Sequence, residues 1–395
     1  MAAIEAKADS VYFGVGKLNM RARSSVNFTL HDLVKITRIC KKHRIRTYLT
    51  INTVIFDKEV REMKRMVASA KKNGITAIIA SDQAVIRYAR SLDMPVHMST
   101  QTNITNIEAV KYWSEMADVM VTARELSLEQ VAIITRAIKR QKITGPTGNP
   151  VRIEVFAHGA LCMAVSGKCY LSLDHYNASA NRGSCYQLCR RPYHVTDTDN
   201  GIELEIDNEY IMSPKDICTI GFLDKIVNAG VSILKIEGRG RSPEYVKTVV
   251  SCYREAADAV LAGNFTPEKC DQWITRLKTV YNRGFWDGYY LGRKMGEWAT
   301  QHGSVATQSK KYVGKITNYF TKLKVAEIKM ESGQLKPGDR IYIQGPTTGS
   351  LELTVPEIQV GLKPTGKTIK GENCSIYIDT FLRRADKVYK VVPNS

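Results

Sequence analysis

Through the first two-thirds of the chain, short apolar runs alternate with stretches whose apolar positions recur every three or four residues. The β-rich runs fall at 10–15 (SVYFGV), 46–53, 76–82, 95–101, 118–126, 152–159 and 232–239. Between them lie amphipathic patterns such as TLHDLVKITRICKKH and SLEQVAIITRAIKRQ. In the second, Leu128, Val131, Ile134 and Ile138 share one face, and Ser127 followed by Glu129 marks the helix start. Strands alternating with helices predict parallel β/α units, each strand covered by the helix that follows it.

Seven strand runs are visible, one fewer than a (β/α)8 barrel requires. The opening MAAIEAKADSVYFG reads as the end of a helix entering a strand. The predicted fold is therefore α/β, a TIM-barrel-like (β/α)8 domain with its first strand missing, which leaves two strand edges to be managed. The alternation is interrupted by an insertion at 160–230, which holds a cysteine-rich loop and then IELEIDNEYIMSPKDICTIGFLDKIVNAG, a short β unit followed by a helix. Barrel chemistry sits on loops at the C-terminal ends of strands, and this insertion leaves one of those ends. From about residue 310 the pattern switches to period-two alternation with an LKPGD turn signal, predicting a small C-terminal antiparallel β-barrel. The domain reading is a catalytic unit over 1–265 with its insertion, a helical and aromatic linker over 266–309, and the β domain over 310–395.

Charge narrows the partner. The chain of 395 residues carries 57 Lys and Arg against 39 Asp and Glu, a formal charge of +18. Such a surplus favours a polyanion, most simply RNA or DNA. Basic patches such as CKKHRIR, RAIKRQK, RLKTVYNRG and LRRADK also read as solvated helix faces. The β domain adds Lys310, Lys311, Lys315, Lys322, Lys324, Lys363, Lys367, Lys370, Arg383 and Arg384, interleaved with Tyr312, Tyr319 and Phe320. Those rings suit base stacking or a small core equally well. No apolar run is long enough to cross a bilayer, and the N-terminus lacks a signal-peptide pattern. A cytoplasmic location is expected, where clustered thiols mean metal more often than disulfides.

Of nine cysteines, Cys162, Cys169, Cys185 and Cys189 fall in one loop, separated by six, fifteen and three residues, and Cys218 follows after another 28. Zinc sites ask for tight paired knuckles, and none is present. Iron–sulfur clusters accept looser spacing, so the spacing favours a cluster over zinc or incidental thiols. Cys40, Cys252, Cys270 and Cys374 sit in helix or strand patterns and read as packing residues.

Polar residues gather where the predicted strands end. These are Asn52, Asp82, Ser99, Gln101, Asn103, Arg124, Glu125, Glu154, His158, Lys235, Glu237, Arg239 and Arg241. Singly, each has an ordinary explanation: Asp82 caps a helix, or Glu154 pairs with Lys235 inside the barrel. Together they line one mouth. Arg124, Arg239 and Arg241 offer forked donors for carboxylate or phosphate, and Gln101 and Asn103 can read a nucleobase edge. Glu154, His158, Lys235 and Glu237 are the candidate acid–base groups.

EVFAHGALCMAVSGKCYLS, with NRGSCYQLCRRPY, MSPKDIC, LKIEGRGRSPEYV, HMSTQTNITN and TARELSL, resembles peptidase family U32, the collagenase-like peptidases, along essentially the whole chain. The resemblance implies an enzyme that assists hydroxylation of RNA or of ubiquinone precursors rather than a well-founded protease. It implies a [4Fe–4S] cluster on Cys162, Cys169, Cys185 and Cys218, with Cys189 as the alternative ligand, and prephenate as oxygen donor anchored by the arginines. Length and the single small β domain point to the branch that forms 5-hydroxyuridine at the tRNA wobble position, with tRNA as partner. The competing readings are an rRNA cytidine hydroxylase, a peptidase, and a non-catalytic RNA-binding scaffold. Neither GxSxG nor HExxH occurs, which weighs against serine-hydrolase and zincin chemistry.

Overall fold

The computed structural model describes residues 1–23, 27–194, 210–292 and 296–394. Its first sheet carries the predicted strands in order: β1 (Ser10–Gly14), β2 (Arg46–Ile51), β3 (Ala77–Ala80), β4 (Val96–Met98), β5 (Val119–Val121), β6 (Arg152–Gly159) and, after the short β7 (Asp216–Cys218), β8 (Ile233–Ile236). β1 to β6 pair in parallel, each with the next, and β8 pairs in parallel with β6. β3 reads AIIA and β5 reads VMV, every residue buried, as parallel strands covered on both faces require.

Helices return the chain between strands: α1 (Ala2–Glu5), α2 (Asp32–Lys42), α3 (Val60–Lys72), α4 (Gln83–Ser91), α5 (Ile107–Ser114), α6 (Leu128–Arg140), α7 (Leu171–Tyr176), α8 (Leu223–Asn228), α9 (Pro243–Leu261) and α10 (Pro267–Lys278). Local chemistry sets several starts. Asp82 accepts from the Ala84 amide at α4, and Pro243 and Pro267 open α9 and α10. At α6 the capping box joins Ser127 to Gln130, so the reciprocal partner is Gln130 rather than Glu129.

Among the described residues β1 and β8 share no backbone ladder, so the sheet is not closed by hydrogen bonds at that seam. A side chain spans it instead. The Tyr12 hydroxyl donates to the Ile236 carbonyl at 3.1 Å and meets Glu237 Oε2 at 3.0 Å. Arg239 reaches further round and donates to Thr50 Oγ1 at 3.0 Å.

In the insertion, the part of the expected β unit before residue 210 lies outside the described residues. The remainder comprises β7, antiparallel to β6 at His158–Cys218 and parallel to β9 (Phe285–Trp286), and then α8. The segment after residue 265 packs into the same core as the first sheet, because Cys270, Trp273, Leu277, Trp286 and Tyr290 are buried there.

The C-terminal unit is one antiparallel sheet of eight strands in the order β13-β12-β17-β10-β11-β16-β14-β15. These are β10 (Gln308–Phe320), β11 (Val325–Met330), β12 (Arg340–Gly345), β13 (Gly349–Thr354), β14 (Ile358–Val360), β15 (Lys363–Thr365), β16 (Asn373–Tyr377) and β17 (Lys387–Pro393). It curls around its own core of Val313, Ile316, Ile328, Ile341, Ile343, Ile376 and Val388, and its edge strands β13 and β15 do not pair with each other among the described residues. It docks on α9 and α1. Lys310 meets Glu244 at 2.9 Å, Gln344 donates to Glu244 at 2.7 Å, and Lys247 meets both the Ser350 carbonyl at 2.7 Å and Glu5 at 3.2 Å.

Candidate functional site at the barrel mouth

Successive strands end in polar residues on one side of the sheet, and the cysteine loop folds over that side. Gly167, at φ +80°, lies so close to Gln101 that an added Cβ would stand 2.7 Å from its Cγ. Gly183, also at φ +80°, approaches the loop after β1: a Cβ there would stand 2.3 Å from the Asn19 carbonyl oxygen and 2.9 Å from Ala22 Cβ. Only glycine meets both demands. Arg182 fixes the loop to Glu59 with two bonds of 2.9 and 2.6 Å, and Arg190 clamps its far end to Ser213, the Pro214 carbonyl and the Leu161 carbonyl.

Beneath the loop, Lys235 on β8 and Glu154 on β6 form a buried pair at 2.9 Å, with side chains 8% and 7% exposed. Phe156 lies between layers. Its ring has the Arg124 guanidinium 3.9 Å from its centroid and the Lys235 ammonium at 5.7 Å. Glu237 sits among Tyr12, Arg21, Arg239 and Arg124. Burial alone would push its carboxyl up, but Arg21, Arg239 and the Tyr12 hydrogen bond outweigh burial and hold it below the usual range. Two cations remain undersupplied with acceptors. Nε and Nη1 of Arg124 and Nε of Arg239 are buried without a hydrogen-bond partner, and a buried guanidinium nitrogen left unpaired is costly. An oxyanion in the mouth would satisfy them.

Other expected residues are placed differently. Gln101 is tied within the protein: it donates to the Asn52 carbonyl at 2.8 Å and accepts from Asn52 and Ser99. Asn103 ends a 3-10 turn in the left-handed region at φ 49°, half-buried. Arg241 stacks on Tyr281 at 3.8 Å, on the α9 side, away from this group. His158 is not brought to the mouth either. A register shift in the β6–β8 ladder between Phe156 and His158 turns it against Tyr245, Tyr253 and Phe285, where burial pushes its imidazole down to about 4. Arg21 and Tyr12 carry no local signal in the sequence that marks them as site residues. Arg21 stands beside Glu237, at 3.7 Å, and Glu237 first, then nearby Cys162 and Cys185, hold its guanidinium above its usual range. That residue joins the thiol loop to the mouth.

All nine cysteines are free. Four belong together: burial pushes the Cys189 thiol up, and the fields of Cys162, Cys185 and Cys169 add to that. Cys218 has other company. Burial raises its thiol to about 11, Tyr253 hydrogen-bonds to it at 3.9 Å, and Asp216 is its charged neighbour. Among the described residues no three His, Cys, Asp or Glu side chains stand ready around one metal position. The donor set nevertheless suits a soft metal centre, since it consists of thiols on irregular backbone with two cations, Arg21 and Arg190, to offset thiolate charge.

The family model of Peptidase family U32 matches residues 1–300. The chain belongs to peptidase family U32. Its relatives carry two kinds of name. A collagenase of Porphyromonas gingivalis is 54% identical over 390 residues, covering 99% of this chain and 94% of that protein. The tRNA hydroxylation protein P1 of Bacillus subtilis is 32% identical over 371 residues, covering 90% of this chain and 83% of that protein. A 23S rRNA 5-hydroxycytidine synthase of Escherichia coli is 31% identical over 300 residues, covering 73% of this chain and 43% of that longer protein. Among the described residues, no helix is long and apolar enough to cross a membrane.

Proposed function

We propose that this U32 protein is a cytoplasmic tRNA hydroxylase that forms 5-hydroxyuridine at the wobble position and takes its oxygen from prephenate. The observation that carries the reading is a pair of half-buried arginines at the mouth, Arg124 and Arg239, whose buried guanidinium nitrogens lack acceptors, on the side of the sheet that the loop of four free thiols covers. A dicarboxylate with a hydroxyl group offers the acceptors that those nitrogens lack. Arg124 and Arg239 bind and orient it, and Lys235, locked by Glu154, adds a positive charge 5.7 Å from the Phe156 ring. The Tyr12–Glu237 contact holds Glu237 among the cations.

A [4Fe–4S] cluster on Cys162, Cys169, Cys185 and a fourth thiolate would supply one-electron redox chemistry next to the mouth. The fourth ligand is Cys189, which shares the loop's electrostatic surroundings, or Cys218, one strand away. Single serine variants of the two, scored for iron content after anaerobic purification, decide between them. The RNA target is supported by relatives named for tRNA and rRNA hydroxylation and by the charge of +18.

The peptidase reading draws on the collagenase name of a 54% identical relative. The mouth gives it little chemistry, because a cysteine nucleophile needs a histidine base within reach and His158 is enclosed by aromatic rings; His175, exposed on α7 of the cysteine loop, is the base such a peptidase would have to use. Loss of wobble 5-hydroxyuridine in a deletion strain supports the hydroxylase. Gelatin cleavage by homogeneous protein, abolished by one Cys→Ser change, would replace it with the peptidase.

A further inference from the structure

The outer face of the cysteine loop carries exposed aromatic rings. Tyr170, Tyr176 and Tyr186 are 75%, 46% and 38% exposed. Tyr176 and Tyr186 lie with ring centroids 4.7 Å apart at 36°, so the two rings rest on each other. Cations accompany them. The Arg23 guanidinium lies 3.9 Å from the Tyr186 centroid and donates to its hydroxyl at 2.7 Å, and Arg191 lies 5.9 Å from the Tyr176 centroid. Lys168 is exposed next to Cys169 and Tyr170. The short helix α7 and the left-handed Asn177 after it set Tyr176 in place, and the Tyr186 amide is fixed by Ser172 Oγ at 2.9 Å. Backbone anchors thus hold a layered group in which Arg23 and Tyr176 lie against Tyr186, while Tyr176 and Tyr170 keep the larger exposed ring surface.

We infer that this patch is a stacking platform for unpaired bases of the substrate RNA, with Arg23 and Arg191 placed for the adjoining phosphates. The inference rests on the hydroxylase reading for the identity of the RNA. It differs from the expectation that the β domain supplies the rings. There, Tyr312 is bonded to Glu331 and packed on Tyr389, and Tyr319 is bonded to the Ile378 carbonyl and packed on Phe381, while Phe320 and Phe381 are 41% and 54% exposed. Three of its lysines are also engaged: Lys310 with Glu244, Lys315 with Glu331 and Lys324 with Asp379. On the cysteine loop, exposed rings and guanidinium groups occur together and next to the thiols. Stacked bases and backbone phosphates need that combination. A proline-rich peptide would use the rings and leave the guanidinium groups without anions. Asp174 on α7 is an acidic neighbour in sequence that the phosphate path must avoid.

The test uses full-length protein and a fluorescein-labelled oligouridylate of about a dozen nucleotides, read by anisotropy across a salt series. Replacing Tyr176 and Tyr186 together by Ala is expected to weaken binding roughly tenfold or more, with the salt slope unchanged. The Phe counterparts should bind within about twofold of wild type, because stacking needs the ring and not the hydroxyl. Replacing Arg23 and Arg191 by Ala should flatten the salt slope. Melting temperature and iron content report whether either variant has disturbed the neighbouring loop. Wild-type affinity in the double Ala variant overturns the platform. So does displacement of the oligouridylate by a collagen-like peptide whose own binding depends on the two tyrosines, which would make the partner a polypeptide. The hydroxylase reading fails separately, if the wild-type gene does not restore 5-hydroxyuridine to a deletion strain. Tyrosine-dependent binding of the oligouridylate would still stand in that case.

Discussion

Replacing Lys235 by Met separates packing from chemistry beneath the candidate site. Lys235 and Glu154 meet at 2.9 Å with both side chains under a tenth exposed, and the ammonium also faces the rings of Tyr12 and Phe156 at 4.9 and 5.7 Å. Removing one member strands the other charge in a poorly solvated place, which costs about 3–5 kcal/mol. Native stability is typically about 5–15 kcal/mol, so the single variant should lose a large share of it. For a unit of this size the melting temperature should fall by roughly 10 °C. Glu154→Leu should cost a similar amount. The double variant replaces both charges with apolar side chains of similar length and should recover to within about 1 kcal/mol of wild type. Urea unfolding followed by circular dichroism gives the double-mutant cycle. Single variants within about 1 kcal/mol of wild type, or a double variant as unstable as the sum of the singles, would refute a closed buried pair. The same double variant then asks the chemical question. If the fixed ammonium serves the anion in the mouth, the folded double variant forms no 5-hydroxyuridine.

Arg124→Ala should raise the KM for the carboxylate co-substrate by roughly tenfold or more while the fold survives, and Arg124→Lys should recover only part of it, because one ammonium cannot reproduce a fork; an unchanged KM would remove Arg124 from the binding site. His97, packed on Tyr48 with ring centroids 4.4 Å apart, has its imidazole pushed down to about 3 by burial and by Lys235, Arg152 and Arg46. The unfolded chain therefore takes up this proton first, so its contribution to stability is complete above pH 6.5 and declines as pH falls toward 3. At pH 5 the loss is about 2 kcal/mol, and His97→Asn should flatten the pH dependence of unfolding in that window; an unaltered profile would contradict the assignment. Gly183→Ala, forced against the Asn19 carbonyl at positive φ, should loosen the cysteine loop, read as early proteolytic cleavage there and loss of bound iron, while the C-terminal sheet keeps its resistance; a variant as resistant and as iron-rich as wild type would show that the contact yields easily.

The strands were legible because burial on both faces forces continuous apolar runs such as AIIA and VMV, and the helices because one face of each must be apolar. Asp82 and Ser127 announced α4 and α6 through capping chemistry. His158 was not legible. Alternation along β6 groups it with Glu154 and Phe156, and only the register shift after Phe156 turns it toward α9. The partners of Gln101 were not legible either: residue type suggests base recognition, and only the fold brings Asn52, distant in sequence, and Ser99 to its amide. Tyr12 and Arg21 became site residues only when the seam between β1 and β8 was seen, because nothing local records what lies across that gap. The exposed tyrosines sit on a short helix and irregular backbone, where no periodicity flags a shared face.

The most direct test of the central claim is mass spectrometry of tRNA nucleosides from a deletion strain complemented with wild type, Arg124→Ala or Cys169→Ser. The account predicts that wild type restores wobble 5-hydroxyuridine and that neither variant does, although both accumulate as folded protein. Full modification with Cys169→Ser, or unmodified tRNA with the wild-type gene, would contradict it.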